Sequence, residues 1–311
     1  MTAHTHGSGH PHHYPPAPQA GGYARAFLIG ILLNSLFVVI EYGYGMASHS
    51  LALMADATHN LGDVLSLVLA WAGSLLARRK PSARYTYGLR GSSILAALAN
   101  AILLLLVTGG LAWEAIERIG TLQPVTGGTV MWVAACGVFI NGLTAWLFMS
   151  GSKSDINIKG AYLHMLADAF VSLAVVVVGG LVMITGWFWL DPGVTLLLVL
   201  VITWSTWGLL RDAVRLALQA VPVGIEAAAV RDHLAAQPGV TEVHDLHIWA
   251  MSTTENALTA HLVCPAGHPG DVFLHQLAHD IEHRFGIHHV TLQIEVGDAS
   301  QVCALAPDHV V

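Results

Sequence analysis

The chain has 311 residues, 54% of them hydrophobic and 11% charged, with a formal net charge of −7. Soluble domains carry about 25% charged residues, so this composition, with a mean hydropathy of +0.60, excludes an ordinary soluble protein and a disordered chain. The acidic balance leaves no polybasic footprint for nucleic acid.

The first 22 residues, rich in His, Pro and Gly, have no apolar period and cannot bury a core, so a disordered tail is expected. Six apolar stretches follow, at roughly 24–46, 52–77, 92–113, 128–149, 160–185 and 190–210. Each meets the roughly 20 residues needed to cross the hydrocarbon core of a bilayer. The predicted membrane domain is 23–212. Basic residues set its orientation. Arg78, Arg79, Lys80, Arg84 and Arg90 fall after span 2, Lys153 and Lys159 after span 4, and Arg211 and Arg215 after span 6. The alternate loops hold only Arg118, so both termini are expected on the cytoplasmic side.

Residues 213–311 read as a soluble α+β domain of order α-β-β-α-β. A helix over 226–237 closes at Pro238-Gly239. Strands follow at Val240–Met251 and Ala257–Cys264, joined by a turn at Ser252–Asn256. A helix over 271–285 presents Val272, Leu274, Leu277, Ile281 and Phe285, and Val290–Val296 alternates as a third strand. Cys136, Cys264 and Cys303 form no CxxC pair, which fits a reducing compartment.

Polar groups inside the spans carry the chemistry. Span 2 holds Asp56, His59 and Asp63, and a carboxylate at the bilayer centre costs roughly 2.5–3.5 kcal/mol on insertion scales. His59 and Asp63 are four residues apart, hence on one helix face about 6 Å apart along the axis. Span 5 repeats the H-x-x-x-D unit as His164 and Asp168. A lone polar group in a span is commonly an interhelical hydrogen bond. Two such units facing each other instead offer two imidazoles and two carboxylates, a set that suits tetrahedral zinc. Histidine also outnumbers Lys plus Arg, 19 to 13. Glu41 reads equally as part of an ion or proton path or as a partner of Asn34 or a neighbouring helix. Asp56 reads as packing or support rather than as a direct ligand.

With SLALMADATHNLGD in span 2, GAYLHMLAD in span 5, DPGVTLLLVLVITWSTWGLLRDAVRLALQAVP through span 6 and VTEVHDLHIWAMS beyond it, the chain resembles the cation diffusion facilitator family of metal efflux transporters, from span 1 to about residue 297. The resemblance implies that His59, Asp63, His164 and Asp168 hold a transported zinc ion, exported in exchange for protons by alternating access. It also implies a homodimer with metallochaperone-like, ferredoxin-like αββαβ cytoplasmic domains, in a multi-pass membrane protein that is not an enzyme. Zinc is then substrate and regulatory ligand, cadmium, cobalt and iron are further candidates, and no organic cofactor is expected. A bacterial inner membrane fits the compact size and short loops. By the same resemblance, His244, His261, His275 and Glu295 form a metal site in the cytoplasmic domain; the other reading of His244 and His261 is packing at strand ends. Gln293 stands where some members have His, which leaves that site incomplete or rearranged. A family site in the loop between spans 2 and 3 should be absent, since ARRKPSARYTYGLRG has no His and no acid. The histidine cluster at His4, His6, His10, His12 and His13 reads equally as a weak zinc collector or a solvated tail.

Two other readings are weaker. His279-Asp280-Ile281-Glu282-His283 matches the H-x-x-E-H pattern of a metallopeptidase class, but no third ligand or cleft is evident, and a solvated helix face explains it. A channel needs weak binding at several positions along a pore, whereas one compact four-ligand site fits a carrier.

Overall fold

The structure, a computed structural model, describes residues 24–77, 79–149, 156–297 and 303–307. The histidine-bearing N-terminal tail, expected to be disordered, lies outside the described residues. Six long helices come first: α1 (Ala24–Ala47), α2 (Leu51–Ala77), α3 (Ser92–Gly120), α4 (Gly127–Met149), α5 (Ile156–Thr185) and α6 (Leu190–Ala217). Then follow α7 (Ala227–Ala235), β1 (Glu242–Ala250), β2 (Asn256–Val263), α8 (Asp271–Phe285) and β3 (His289–Glu295). Among the described residues, α3, α4, Tyr162–Thr185 of α5 and α6 are long and apolar enough to cross a membrane, and Leu32–Ala47 of α1 is a shorter apolar segment. Asp56, His59 and Asp63 interrupt the apolar character of α2. Two helices outrun their apolar stretches. α3 continues to Gly120, with an Arg118–Glu114 pair on its last turns, and α6 continues past Arg211 and Arg215 to Ala217.

The chain folds as two compact units. The first comprises residues up to Asn60 together with Thr121–Val194. Close packing of α4 on α5 dominates it, and glycine makes that packing possible. A Cβ on Gly127 would lie 2.6 Å from the Gly179 carbonyl oxygen, and one on Gly179 would lie 2.6 Å from the Met131 nitrogen. With no hydrophobic gain between helices in lipid, such backbone approach is a main source of association. Gly137 of α4 likewise leaves room for the Phe37 ring of α1 and the Ser172 hydroxyl of α5. The start of α2 is fixed by an acid from another helix. Asp191, in the first turn of α6, accepts from the Leu51 N–H at 2.7 Å and from the Ser50 hydroxyl at 2.5 Å. A carboxylate at a helix N-terminus satisfies orphan N–H groups and favours the helix dipole. Ser50 in turn caps the Leu53 N–H at 3.2 Å.

The second unit comprises Leu61–Gly120 and Thr195–Val311. Its C-terminal part is a three-stranded sheet of order β1-β2-β3, with β1 and β2 antiparallel and β2 and β3 parallel. Val230, Leu234, Leu258, Leu262, Leu277 and Ile281 belong to one core, so α7 and α8 cover a single face of the sheet. The predicted αββαβ order therefore holds, with element bounds within two residues of the sequence reading. α8 ends at Gly286, whose φ of 68° is a left-handed cap that glycine adopts without steric cost.

Two local features shape the opposite face of the sheet. Side chains alternate along a strand, so His261 points away from the core to which Ala260 and Leu262 contribute. In β1 the register shifts between His244 and His247, where a bulge inserts Asp245 at φ 50°. The bulge keeps Val243 and Ile248 in the core while His244 stands directly opposite His261.

The second unit also ties α3 and the segment before it to the turn between β1 and β2. Arg90 Nη1 lies 2.8 Å from Glu255 Oε2, and the Thr253 N–H donates to Ser93 Oγ at 3.1 Å. The basic loop after α2 thus reaches the sheet through an ion pair.

Candidate functional site

Asp168 sits on α5, about two turns in from the start of its apolar segment, and is 1% exposed. Its Oδ1 lies 3.3 Å from His59 Nε2 of α2, and its Oδ2 lies 3.7 Å from His164 Nε2, one turn back on α5. Neither oxygen of Asp168 makes a hydrogen bond among the described residues. The two imidazoles meet edge to face, with ring centroids 6.5 Å apart. A tetrahedral zinc with bonds of about 2.0–2.2 Å to N and O sets its ligand atoms roughly 3.3–3.5 Å apart. The His59–Asp168 separation has that value. Burying a carboxylate without a counter-charge or hydrogen bond is costly, so this arrangement suits a cation. His164 is 44% exposed at its side chain, the most open member of the group. Asp63 follows His59 by one turn of α2, half-buried, and belongs to the second unit.

Behind these groups lies a second layer of buried polar residues. Asp56 accepts a 2.8 Å hydrogen bond from Ser172 Oγ, which ties α2 to α5. Glu41, fully buried on α1, lies 3.5 Å from the Asn60 amide nitrogen of α2. The Asn34 amide points instead to the Met165 sulfur, 3.8 Å away. Of the two partners considered for Glu41, the neighbouring helix supplies the one observed.

The C-terminal domain holds a further group on the helix-free face of its sheet. His244, His261, Glu295 and Cys303 each place one potential ligand atom within 4.8 Å of the others. His244 Nε2 lies 3.4 Å from Glu295 Oε2, and His261 Nδ1 lies 3.0 Å from Glu295 Oε1. The rings of His244 and His261 are 5.2 Å apart. Burial alone would raise the Glu295 carboxyl. Hydrogen bonds from Gln293 and Cys303, with the two nearby imidazoles, outweigh it and hold Glu295 below the usual carboxylate range. Asp245, displaced by the bulge, lies 3.3 Å from His261 Nε2 and 2.9 Å from His247 Nε2. An acid on the far nitrogen fixes the imidazole orientation that a metal ligand needs.

His275 is not brought to this group. It is exposed on α8, and α8 packs on the opposite face of the sheet through Leu277 and Ile281. Cys303 is a ligand candidate that sequence reasoning misses, because no motif or spacing connects it to the strands. Gln293 pairs with His261 in the β2–β3 register and donates to Glu295 Oε1 at 2.9 Å. His279 and His283 lie side by side on the exposed face of α8, with ring centroids 4.3 Å apart. That is the solvated face expected if H-x-x-E-H carries no chemistry here.

Apolar spanning helices define a membrane protein, and a buried His–Asp group lies among them. Comparison with known sequences gives the family. Residues 27–216 match the cation efflux transmembrane domain, and residues 222–296 match the cation efflux protein cytoplasmic domain. The chain belongs to the cation efflux family and is an integral membrane transport protein, not an enzyme. It is 34% identical over 299 residues to the metal cation efflux system protein CzcD of Cupriavidus metallidurans, covering 96% of this chain and 93% of the relative. It is 35% identical over 274 residues to the zinc transporter ZitB of Escherichia coli, covering 88% and 87%. The cadmium, cobalt and zinc/H(+)-K(+) antiporter of Bacillus subtilis is 31% identical over 280 residues, covering 88% and 90%.

Proposed function

We propose that this chain exports zinc from the cytoplasm in exchange for protons, with His59, Asp63, His164 and Asp168 as the transport site. The observation that carries the proposal is the buried Asp168 carboxylate, with an imidazole nitrogen facing each oxygen and, among the described residues, no hydrogen bond to either. Asp63 joins as the fourth ligand from its place one helical turn beyond His59. Two carboxylates neutralise a divalent ion, which eases its stay in a low-dielectric site. Imidazole must be neutral to bind metal, so loading releases protons and protonation expels the ion. Rocking of helices about a fixed site would expose it to each side in turn.

Cadmium and cobalt, borderline to soft ions that share imidazole ligands, are the secondary substrates. The names of the similar proteins support that substrate class. We place both termini and the C-terminal domain in the cytoplasm, from the Lys and Arg bias of the loops, and the protein in a bacterial inner membrane. The C-terminal domain serves as the dimer contact, consistent with the family description of that domain. It also binds zinc through His244, His261 and Glu295. Its zinc would favour the ordered dimer by mass action.

The proposal is tested in cells lacking their own zinc exporters. Expression should restore growth on toxic zinc and lower cell zinc. Asp168→Asn, which keeps the shape and removes the charge, should abolish rescue at equal membrane abundance. Full rescue by Asp168→Asn would remove the basis for this site.

A further inference from the structure

We propose that Cys303, from the segment that follows β3, is the fourth ligand of the metal site in the C-terminal domain. The site then offers two imidazoles, one carboxylate and one thiolate to a zinc- or cadmium-type ion. This rests on the reading that the domain binds metal, and it adds a thiolate and a second chain segment.

The geometry supports it from several directions. Cys303 Sγ lies 3.6 Å from His261 Nδ1. A tetrahedral zinc with a bond of about 2.3 Å to sulfur and 2.0–2.1 Å to nitrogen sets S and N roughly 3.5–3.6 Å apart. The Glu295–His244 separation, 3.4 Å, falls in the range expected for O and N on one ion, and the Glu295–His261 separation, 3.0 Å, is somewhat shorter. His244 is 4% exposed; its Nδ1 faces Glu242 Oε1 at 3.4 Å and its Nε2 faces Glu295 Oε2 at 3.4 Å, neither of them a hydrogen bond among the described residues. A buried imidazole in that state costs free energy unless something else engages it. A metal among Cys303, His261 and Glu295 would do so.

The other cysteines do not compete for the role. Cys264 belongs to the core on the helix side of the sheet, and burial pushes its thiol up. Cys136 is on α4. Gln293 occupies the row of His244 and His261 but offers an amide, and its donation to Glu295 orients that carboxylate. The ligand that Gln293 does not supply comes instead from beyond the sheet. Gly297, just after β3, has φ 70°, and a Cβ there would meet Val263 Cγ1 at 2.9 Å.

The test uses the full-length protein in detergent, reduced, and titrated with cobalt as a spectroscopic stand-in for zinc. A Cys303–cobalt bond gives a near-ultraviolet thiolate-to-metal charge-transfer band, which the transport site cannot give because it holds no sulfur. The band should be present in the parent and in Cys136→Ser, and absent in Cys303→Ser. Zinc should shield Cys303 from iodoacetamide in the parent but not in His261→Ala. Domain zinc affinity in Cys303→Ser should fall by at least roughly 100-fold, since loss of a residue that only supports a ligand already costs about 10–100-fold. If no thiolate band forms while His261→Ala still lowers bound metal by one ion per chain, the domain binds metal without Cys303 and the inference is wrong. If His261→Ala leaves bound metal unchanged, the domain site itself is wrong, and this ligand set falls with it.

Discussion

Asp191 tests whether the start of α2, and with it the position of His59 about 12 Å further along the helix, depends on a side chain from α6. Substituting Asp191→Ala removes the acceptor for the Leu51 N–H and the Ser50 hydroxyl, at 2.7 and 2.5 Å. Leu51, Ser50 and Asp191 are all buried, so water does not readily replace the lost partner. Each buried donor left unsatisfied costs about 1–3 kcal/mol. Losing the acid at the helix N-terminus adds about 0.3–1 kcal/mol. The longer contact from the Ala52 N–H, at 3.4 Å, adds little. The sum is about 2–7 kcal/mol. At about 2–4 °C per kcal/mol for a domain of this size, the melting temperature should fall by roughly 4–28 °C. Asp191→Asn keeps one carbonyl oxygen for Leu51 and should lose about half as much. The assay is thermal unfolding of detergent-solubilised protein followed by size-exclusion fluorescence. A melting temperature within about 2 °C of the parent for Asp191→Ala, the shift expected from under 1 kcal/mol, would refute the reasoning. An Asp191→Asn variant as unstable as Asp191→Ala would show that charge, not hydrogen bonding, carries the effect.

Four other outcomes are expected. Gly179→Ala should lower the melting temperature, because its Cβ would sit 2.6 Å from the Met131 nitrogen; overpacking of this kind costs about 1–3 kcal/mol, and Gly142→Ala, which meets nothing within 4 Å, serves as the neutral control. Ser172→Ala removes the 2.8 Å donor to Asp56 and should destabilise by about 1–3 kcal/mol, read by the same thermal assay. Arg90→Ala or Glu255→Ala should each cost under about 1 kcal/mol, as expected for a part-exposed ion pair, and a double-mutant cycle measures the coupling. Chelation should lower the unfolding temperature of the C-terminal domain, and zinc at about 100 times its dissociation constant should stabilise it by about 2.7 kcal/mol; the same midpoint with and without zinc would contradict metal binding there.

The elements are legible in the sequence because each carries a period of its own. Apolar runs mark the long helices. The alternation at Val290–Val296 and the 271–285 stripe mark β3 and α8. The repeated H-x-x-x-D unit singles out His59 and Asp168, which the structure brings to 3.3 Å. Other relations depend on pairing between distant segments. Asp191 on α2 and Ser172 on Asp56 are contacts separated by more than 100 residues, and no local pattern encodes them. The place of His275 within the domain is hidden in the sequence for a related reason. Its position in the chain says nothing about which face of the sheet α8 covers, whereas the packing of Leu277 and Ile281 settles it. Cys303 escapes notice because a lone cysteine in a C-terminal stretch carries no spacing signal, and only the fold sets it beside His261.

The central claim is that a pH gradient drives zinc through the His59–Asp168 site. The most direct measurement is zinc uptake into inside-out membrane vesicles with an acidic interior, comparing the parent with His164→Ala and Asp168→Ala at matched protein levels. Uptake by the parent should collapse when the gradient is dissipated and be lost in both variants. Uptake that persists without the gradient, or that survives Asp168→Ala, would contradict it.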